Sequence, residues 1–479
     1  MAERLLHRAR GGAATGAAHR RMTASEPGAV RLAATSPGRA IRRRLVRSSA
    51  TVFVAMTIGT VTTLILNAIL ARVLGHGQLG EYFLVFSMVM IGSVVGQMGL
   101  DRTVVRLVAA SRATAEGGRA RRAVRITFVL GVLASSAVAL VFVLGLGNFI
   151  AIHIYHSEAV AGVVGLAAAW VLVKSLLALT AESFRGFKRF WPATIFNGLA
   201  VDSILVLAFG ACWIAGVRPT LGEAVGISVA ATAVALVAGL VLLRPNVSRL
   251  THEGSVGTRE VVSISWPLLV TSLASFGVGT GVDLWVVGHF RPASDVALYG
   301  AAYRLVFFVA TGFIIVSQVV PPIIAELYAR GEKRELENAL RSISTLAGIP
   351  AVIVLLVFLA AGPFVMQLVY GPFFRQGATV LAILSVARLV AVCTGSSGAT
   401  LMMTGHQRTM MTLTLATGAL SLIAEIMLAP TYGITGVAVA TCVAQILQNL
   451  LQLAFARIRV GIWTHARFSL EPVRELVRG

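Results

Sequence analysis

Residues 410–456 read MMTLTLATGALSLIAEIMLAPTYGITGVAVATCVAQILQNLLQLAFA. Two apolar runs, 410–429 and 434–456, flank the turn-forming Pro430-Thr431-Tyr432-Gly433, and the sole charged residue in either run is Glu425. A helix needs about 20 apolar residues to cross the hydrocarbon core of a bilayer. The stretch therefore reads as two antiparallel membrane helices joined by a tight turn. Lipid leaves no partner for an unpaired backbone group, so the fold class is all-α and polytopic.

Working outward, ten further segments meet the same length: 48–73, 81–107, 124–146, 159–182, 192–216, 221–243, 261–289, 297–324, 343–361 and 378–403. Twelve transmembrane helices are expected. Composition agrees, with 57% hydrophobic and 13% charged residues and a mean hydropathy of +0.83. The net charge of +21 comes from 38 Arg and 3 Lys against 20 Asp and Glu. In a soluble chain that balance would point to nucleic acid; here it reports topology. With the N-terminus inside, 33 of the 41 basic residues fall in cytoplasmic segments, 4 on the outer side (Arg72, Arg218, Arg291, Arg375) and 4 within spans (Arg102, Lys174, Arg304, Arg388). Such asymmetry is the positive-inside signature, and it places both termini in the cytoplasm of a multi-pass membrane protein.

The chain repeats itself. Tyr82 and Tyr299, the pairs Gly147/Tyr155 and Gly362/Tyr370, Gly186-Phe-Lys-Arg189 and Gly405-His-Gln-Arg408, and Pro219-Thr-Leu-Gly222 and Pro430-Thr-Tyr-Gly433 recur at offsets of 217, 215, 219 and 211. An offset of six spans keeps both halves in the same orientation, which predicts two six-helix lobes related by a pseudo-two-fold along the membrane normal. The expected organisation is an Arg-rich cytoplasmic tail 1–47, an N-lobe 48–243, a cytoplasmic linker 244–260, a C-lobe 261–456 and a C-terminal tail 457–479. The tail also has the composition of a transit peptide, and Met22 is an alternative start.

No HExxH, GxxxxGK[ST], GxSxG or paired carboxylates occur, so neither an enzyme nor a cofactor is expected. Cys212, Cys393 and Cys442 are too dispersed for a CxxC site or a disulfide framework. His153, His156 and Glu158 read as the wet side of a surface helix rather than a metal site. Ionisable residues inside spans carry the information, because they are costly in lipid and face a cavity or a partner. Arg388 and Asp202 sit near the midplane. Asp283 and Arg304 share one depth toward the outer side, as a structural ion pair or as a gate. Lys174 lies deeper toward the cytoplasm, Asp101, Arg102 and Arg106 cluster at the inner end of the second span, and Glu425 is a proton site or a hydrogen-bonded acid. Pro267, Gly279, Gly281 and Pro321 mark helices able to bend or pack closely.

Together, Ala71-Arg-Val-Leu-Gly75, Leu79-Gly-Glu-Tyr82, Gly99-Leu-Asp-Arg102, Arg106, Asp283, Tyr299, Arg304, Pro321, Tyr370-Gly371, Thr404-Gly405 and Pro430 to Gly436 resemble the polysaccharide-transporter flippases, the O-antigen and teichuronic acid exporters. The resemblance runs from about Arg47 to Arg457. It implies the multidrug/oligosaccharidyl-lipid/polysaccharide exporter fold, a central cavity that opens to each side in turn, and a polyprenyl-diphosphate-linked oligosaccharide as substrate. Membrane lipids and other polysaccharide-assembly membrane proteins are the implied partners. A diphosphate crossing a low-dielectric region needs cations; Arg304, Arg388, Lys174, Arg102 and Arg72 are the expected substrate-binding residues, and Asp283, Asp202, Asp101 and Glu425 the expected gate or ion-coupling residues. Lipid II flippases carry two further helices. Drug-cation antiporters, the alternative reading beside a non-transporting scaffold, place an acid in the first span where this chain has Asn67.

Overall fold

A computed structural model describes residues 57–113, 117–250, 256–279, 282–317 and 320–467. The expected tail 1–47, the start of the first span, Gly281 and residues 468–479 lie outside the described residues. In chain order the helices are α1 (Thr57–Val73), α2 (His76–Gln97), α3 (Leu100–Ala113), α4 (Gly117–Ile154), α5 (Val164–Gly186), α6 (Phe190–Ile214) and α7 (Leu221–Ser248). The second half continues with α8 (Thr258–Gly279), α9 (Val282–Phe290), α10 (Ala293–Ser317), α11 (Val320–Ala329), α12 (Lys333–Tyr370), α13 (Ala378–Thr394), α14 (Ser397–Met403) and α15 (Gln407–Val460). The described residues contain no strand, and nine of their helices are long and apolar enough to span a membrane.

α15 holds the stretch that opened the sequence reading, and it is folded in two. In a straight helix, residues 16 positions apart are about 24 Å apart. Thr441 Oγ1 nevertheless lies 3.2 Å from Glu425 Oε1, and Gln448 Nε2 donates to Thr414 Oγ1 at 3.2 Å. The reversal falls on Gly433, at φ 59°, ψ −144°, a conformation that a side chain would strain. The repeated motif Pro219-Thr220-Leu221-Gly222 also makes a turn. There Thr220 caps α7 in a reciprocal capping box, its Oγ1 accepting from Glu223 N at 3.3 Å while Glu223 Oε2 accepts from Thr220 N at 2.7 Å.

Two expected spans are broken. The second was expected to run through Leu107; it stops at Met98 and Gly99, both left-handed (φ 48° and 70°), and α3 restarts in a new direction. A Cβ on Gly99 would meet Leu269 N of α8 at 2.6 Å, so backbone contact with the second half sets the break. The tenth span divides between α13 and α14. Beyond α15, residues 461–467 pack against the ends of α12 and α13. Thr464 Oγ1 donates to Thr394 O at 2.7 Å and Thr464 O accepts from Ser344 Oγ at 2.9 Å.

The core is continuous across the halves. Phe83, Leu84 and Met88 of α2 are buried together with Val296, Tyr299 and Ala302 of α10. Small residues permit that approach: Gly80 lies directly against the Ala293 carbonyl, with no room for a Cβ, and a Cβ on Gly288 of α9 would meet Leu84 at 2.6 Å. Gly80→Val is therefore expected to cost about 1–3 kcal/mol through overpacking. It should show as earlier thermal unfolding of purified protein in detergent micelles, whereas Gly75→Val, in open space, should leave the transition in place.

Candidate functional site

The largest described cavity, about 880 Å³, belongs mainly to the second half and is lined by both arms of α15, by α13 and by Val270 and Leu273 of α8. Three guanidinium groups line it, Arg388 from α13, Arg408 from the first turn of α15 and Arg102 reaching across from α3. No carboxylate is among its described lining residues. Gln407 and Arg408 at one end are exposed, so the cavity opens toward the face that carries the basic segments. At the other end Arg388 Nη2 approaches Tyr303 OH at 3.5 Å, and its Cζ lies 5.2 Å from the Phe307 ring.

A second cavity, about 350 Å³, lies within the first half and is lined by Lys174, Asp202, Asn67, Trp170 and, from α10, Arg304. Lys174 Nζ lies 5.4 Å from the Phe86 ring centroid. Arg304 Cζ lies 3.7 Å over Phe83, and its Nη1 donates to the Gly300 carbonyl at 3.1 Å. Asp202 accepts from Thr63 Oγ1 and feels the charges of both Lys174 and Arg304. An apolar crevice of about 240 Å³ between α1 and α10 adjoins this cavity, sharing Thr63, Asn67 and Arg304 with it.

The ion pair considered for Asp283 and Arg304 is not formed. Asp283 Oδ2 instead accepts from Tyr299 OH at 2.8 Å and Thr441 Oγ1 at 3.2 Å, within electrostatic reach of Arg388. Thr441 also approaches Glu425 Oε1 at 3.2 Å and the Val437 carbonyl at 3.0 Å, while Ser421 donates to Glu425 Oε1 at 2.7 Å. Glu425 is buried, and its Oε2 has no hydrogen-bond partner. One hydroxyl proton cannot serve three acceptors, so this pair of acids is short of donors and contains no basic residue.

Five positions of the two halves correspond at offsets of 213 to 217 residues: Asn67 with Asp283, Tyr82 with Tyr299, Phe86 with Tyr303, Lys174 with Arg388, and Ser228 with Thr441. Tyr82 OH meets Ser228 Oγ at 2.9 Å as Tyr299 OH meets Thr441 Oγ1 at 3.5 Å. In each half a cation of the fourth span sits beside an aromatic residue of the second. The repeat offset was the signal for Tyr303, Ser228 and Thr441, which sequence reasoning missed.

Other expected residues lie elsewhere. Arg72 lines none of the described cavities. Its Nη1 donates to Val369 O at 2.6 Å and its Nη2 to Leu368 O at 2.9 Å, the last-turn carbonyls of α12 that no helical N–H satisfies. On the same face His76 stacks on Phe373 at 4.2 Å, His289 Nδ1 meets the Ile154 carbonyl at 2.8 Å and Tyr155 packs edge-on to Trp285. These contacts tie the halves together opposite the open end. Asp101 also lies outside the cavity linings, within electrostatic reach of Glu182. Pro267 sits inside α8 and Pro321 in the first turn of α11, while Gly279 is the last residue of α8. Among the described residues no group of three or more His, Cys, Asp or Glu could hold a metal.

A family model described as polysaccharide biosynthesis protein matches residues 45–328. No curated protein matches the sequence. Among solved structures the chain is similar to an inward-facing multidrug resistance MATE family transporter of the MOP superfamily, with TM-score 0.68 and 14% identity over 85% of this chain and 98% of that one. It is similar to lipid II flippase MurJ in an inward closed conformation, with TM-score 0.65 and 14% identity over 85% and 87%. A MOP superfamily transporter from Pyrococcus furiosus matches with TM-score 0.58 and 13% identity over 87% and 95%. At these identities the likeness shows the fold alone.

The Arg72 clamp predicts a conformational effect. Spin labels on cysteines introduced at the exposed positions Gly75 and Gln376, with the native cysteines replaced, should give a longer and broader distance distribution in Arg72→Ala than in the parent. An unchanged distribution would show that the clamp does not hold this face closed.

Proposed function

The chain belongs to the polysaccharide biosynthesis protein family, and from that premise we propose that this membrane flippase moves a polyprenyl-diphosphate-linked oligosaccharide from the cytoplasmic to the outer leaflet of a bacterial cell membrane by alternating access. The observation that carries the reading is the 880 Å³ cavity with three arginines and no carboxylate among its described lining residues. A chamber of that charge in a low-dielectric surround repels cations and compensates a diphosphate, each charge-assisted hydrogen bond contributing about 1.5–3 kcal/mol. The arginine-rich face, where the cavity opens, is assigned to the cytoplasm by the positive-inside rule. The clamped face is then the outer gate.

The apolar crevice between α1 and α10 offers a way for the polyprenyl tail to stay in lipid while the head group enters, with Arg304 at the junction of crevice and cavity. Asp283 and Glu425, short of donors, are assigned to energy coupling: they share a proton, or a monovalent cation bound by the carboxylate and hydroxyl oxygens of Tyr299, Thr441 and Ser421. These two acids are also the feature that favours the second reading, a cation antiporter. Under that reading a lipophilic cation, rather than a glycolipid, is exported.

Outward transfer of a fluorescent polyprenyl-diphosphate oligosaccharide in proteoliposomes tests the proposal. Arg388→Ala and Arg304→Ala should each slow transfer by about tenfold to a hundredfold, the loss of roughly one charge-assisted bond, with Lys at either position recovering part of the rate. Transfer of a lipophilic cation and none of the glycolipid by wild-type protein would overturn it. Asp283→Asn and Glu425→Gln should remove the dependence of transfer on an imposed proton or sodium gradient while leaving substrate binding in place; a retained gradient dependence would refute the coupling role.

A further inference from the structure

The second arm of α15 presents four amides to the large cavity. Gln445, Gln448, Asn449 and Gln452 follow the spacing i, i+3, i+4, i+7, which puts them on one helix face in a stripe about 10 Å long. Gln407 faces them from the first arm. Part of the stripe is pinned: Gln448 Nε2 donates to Thr414 Oγ1 at 3.2 Å and Asn449 Nδ2 to the Gln445 carbonyl at 2.8 Å. Among the described residues the side-chain amides of Gln407, Gln445 and Gln452 have no protein partner, although Gln452 is only 6% exposed. A buried or half-buried amide without a partner is costly, and two such amides, Gln445 and Gln452, on one face of a membrane helix are not explained by packing.

We propose that this stripe and Gln407 form a glycan subsite, which takes the hydroxyl groups of the cargo's sugar portion; the inference rests on the flippase reading and names what part of its substrate the cavity wall contacts. An amide both donates and accepts, as a sugar hydroxyl does. A carboxylate could accept from sugar hydroxyls too, but beside Arg388 and Arg408 it would repel the diphosphate and consume the cations meant for it. The amides bind sugar at no electrostatic cost to the phosphate. Met402, Met410 and Met411 supply another part of the lining, and none of the described lining residues is aromatic. Flexible thioethers cover the C–H faces of sugar rings without dictating one stacking geometry, so the subsite tolerates several sugars of similar size.

Half-saturation by the oligosaccharide-bearing lipid and half-inhibition of its transfer by sugar-free polyprenyl diphosphate separate the two parts of the site. In proteoliposomes, Gln407→Leu with Gln445→Leu should raise the half-saturating concentration about tenfold, leaving the half-inhibiting concentration of the sugar-free lipid unchanged. Arg388→Ala should raise both. Gln407→Leu alone, at an exposed position, should show a smaller shift in the same direction and guards against misfolding of the double variant. Equal shifts for both lipids in the amide variants, or none, would overturn the subsite. Absence of any glycolipid transfer by wild-type protein would overturn the flippase reading, and the subsite with it.

Discussion

Charge held in an apolar chain is the constraint on which the rest depends. The spans contain few ionisable residues, and each is placed where something offsets its cost. Arg304 lies on the face of Phe83 and against a backbone carbonyl. Lys174 shares its cavity with Asp202, and Arg388 leans on Tyr303 and Phe307. None of these arginines is closed into a salt bridge among the described residues, so each retains donors for a ligand. On the proposed function, that is how a binding site differs from a structural ion pair. A paired guanidinium would stabilise the empty protein and lose most of its value to an arriving phosphate.

The same constraint shapes the two faces. On the closed face the halves meet through contacts that need no ion pair: Arg72 on helix-end carbonyls, His76 on Phe373, His289 on the Ile154 carbonyl. Contacts of this kind can be exchanged for water when the face opens. Asp283 lies on α9, whose far end carries His289, and the Tyr299 and Thr441 hydroxyls tie it to α10 and α15. On the proposed function, loading or unloading the acid pair changes how α9 is held against those helices. The gate contact of His289 sits on the same short helix, so coupling requires no longer path.

Much of this was legible in the sequence. Hydropathy found the apolar segments because lipid enforces them, and the Gly433 turn followed from Pro430-Thr431-Tyr432-Gly433. The in-span charges stood out because they are rare. The break at Met98 and Gly99 was not visible: a hydropathy window averages polarity and is blind to the sign of φ, and the backbone that presses on Gly99 is more than 160 residues away. The contacts of Arg72 were hidden for a related reason. Its partners are main-chain carbonyls 296 and 297 residues downstream, which carry no residue-type signature. The amide stripe had the opposite fault. Its i, i+3, i+4, i+7 spacing was in plain view, but amides carry no charge, and attention to ionisable groups passed over them.

The internal repeat gives the last step. Corresponding positions keep the scaffold and change the chemistry: Tyr82 and Tyr299, and Ser228 and Thr441, preserve one hydroxyl contact, whereas Asn67 stands where the second half has Asp283. The acid therefore faces a second acid only in the second half, through Thr441. In the first half Asp202 faces Lys174 and Arg304 instead. A neutral residue at position 67 keeps the first-half cavity cationic, while the second half holds a buried acid pair beyond its arginines. Divergence between the duplicated halves thus confines the acid pair to the second half, where the hydroxyls of Tyr299 and Thr441 rather than the nearby Arg388 hold Asp283 directly.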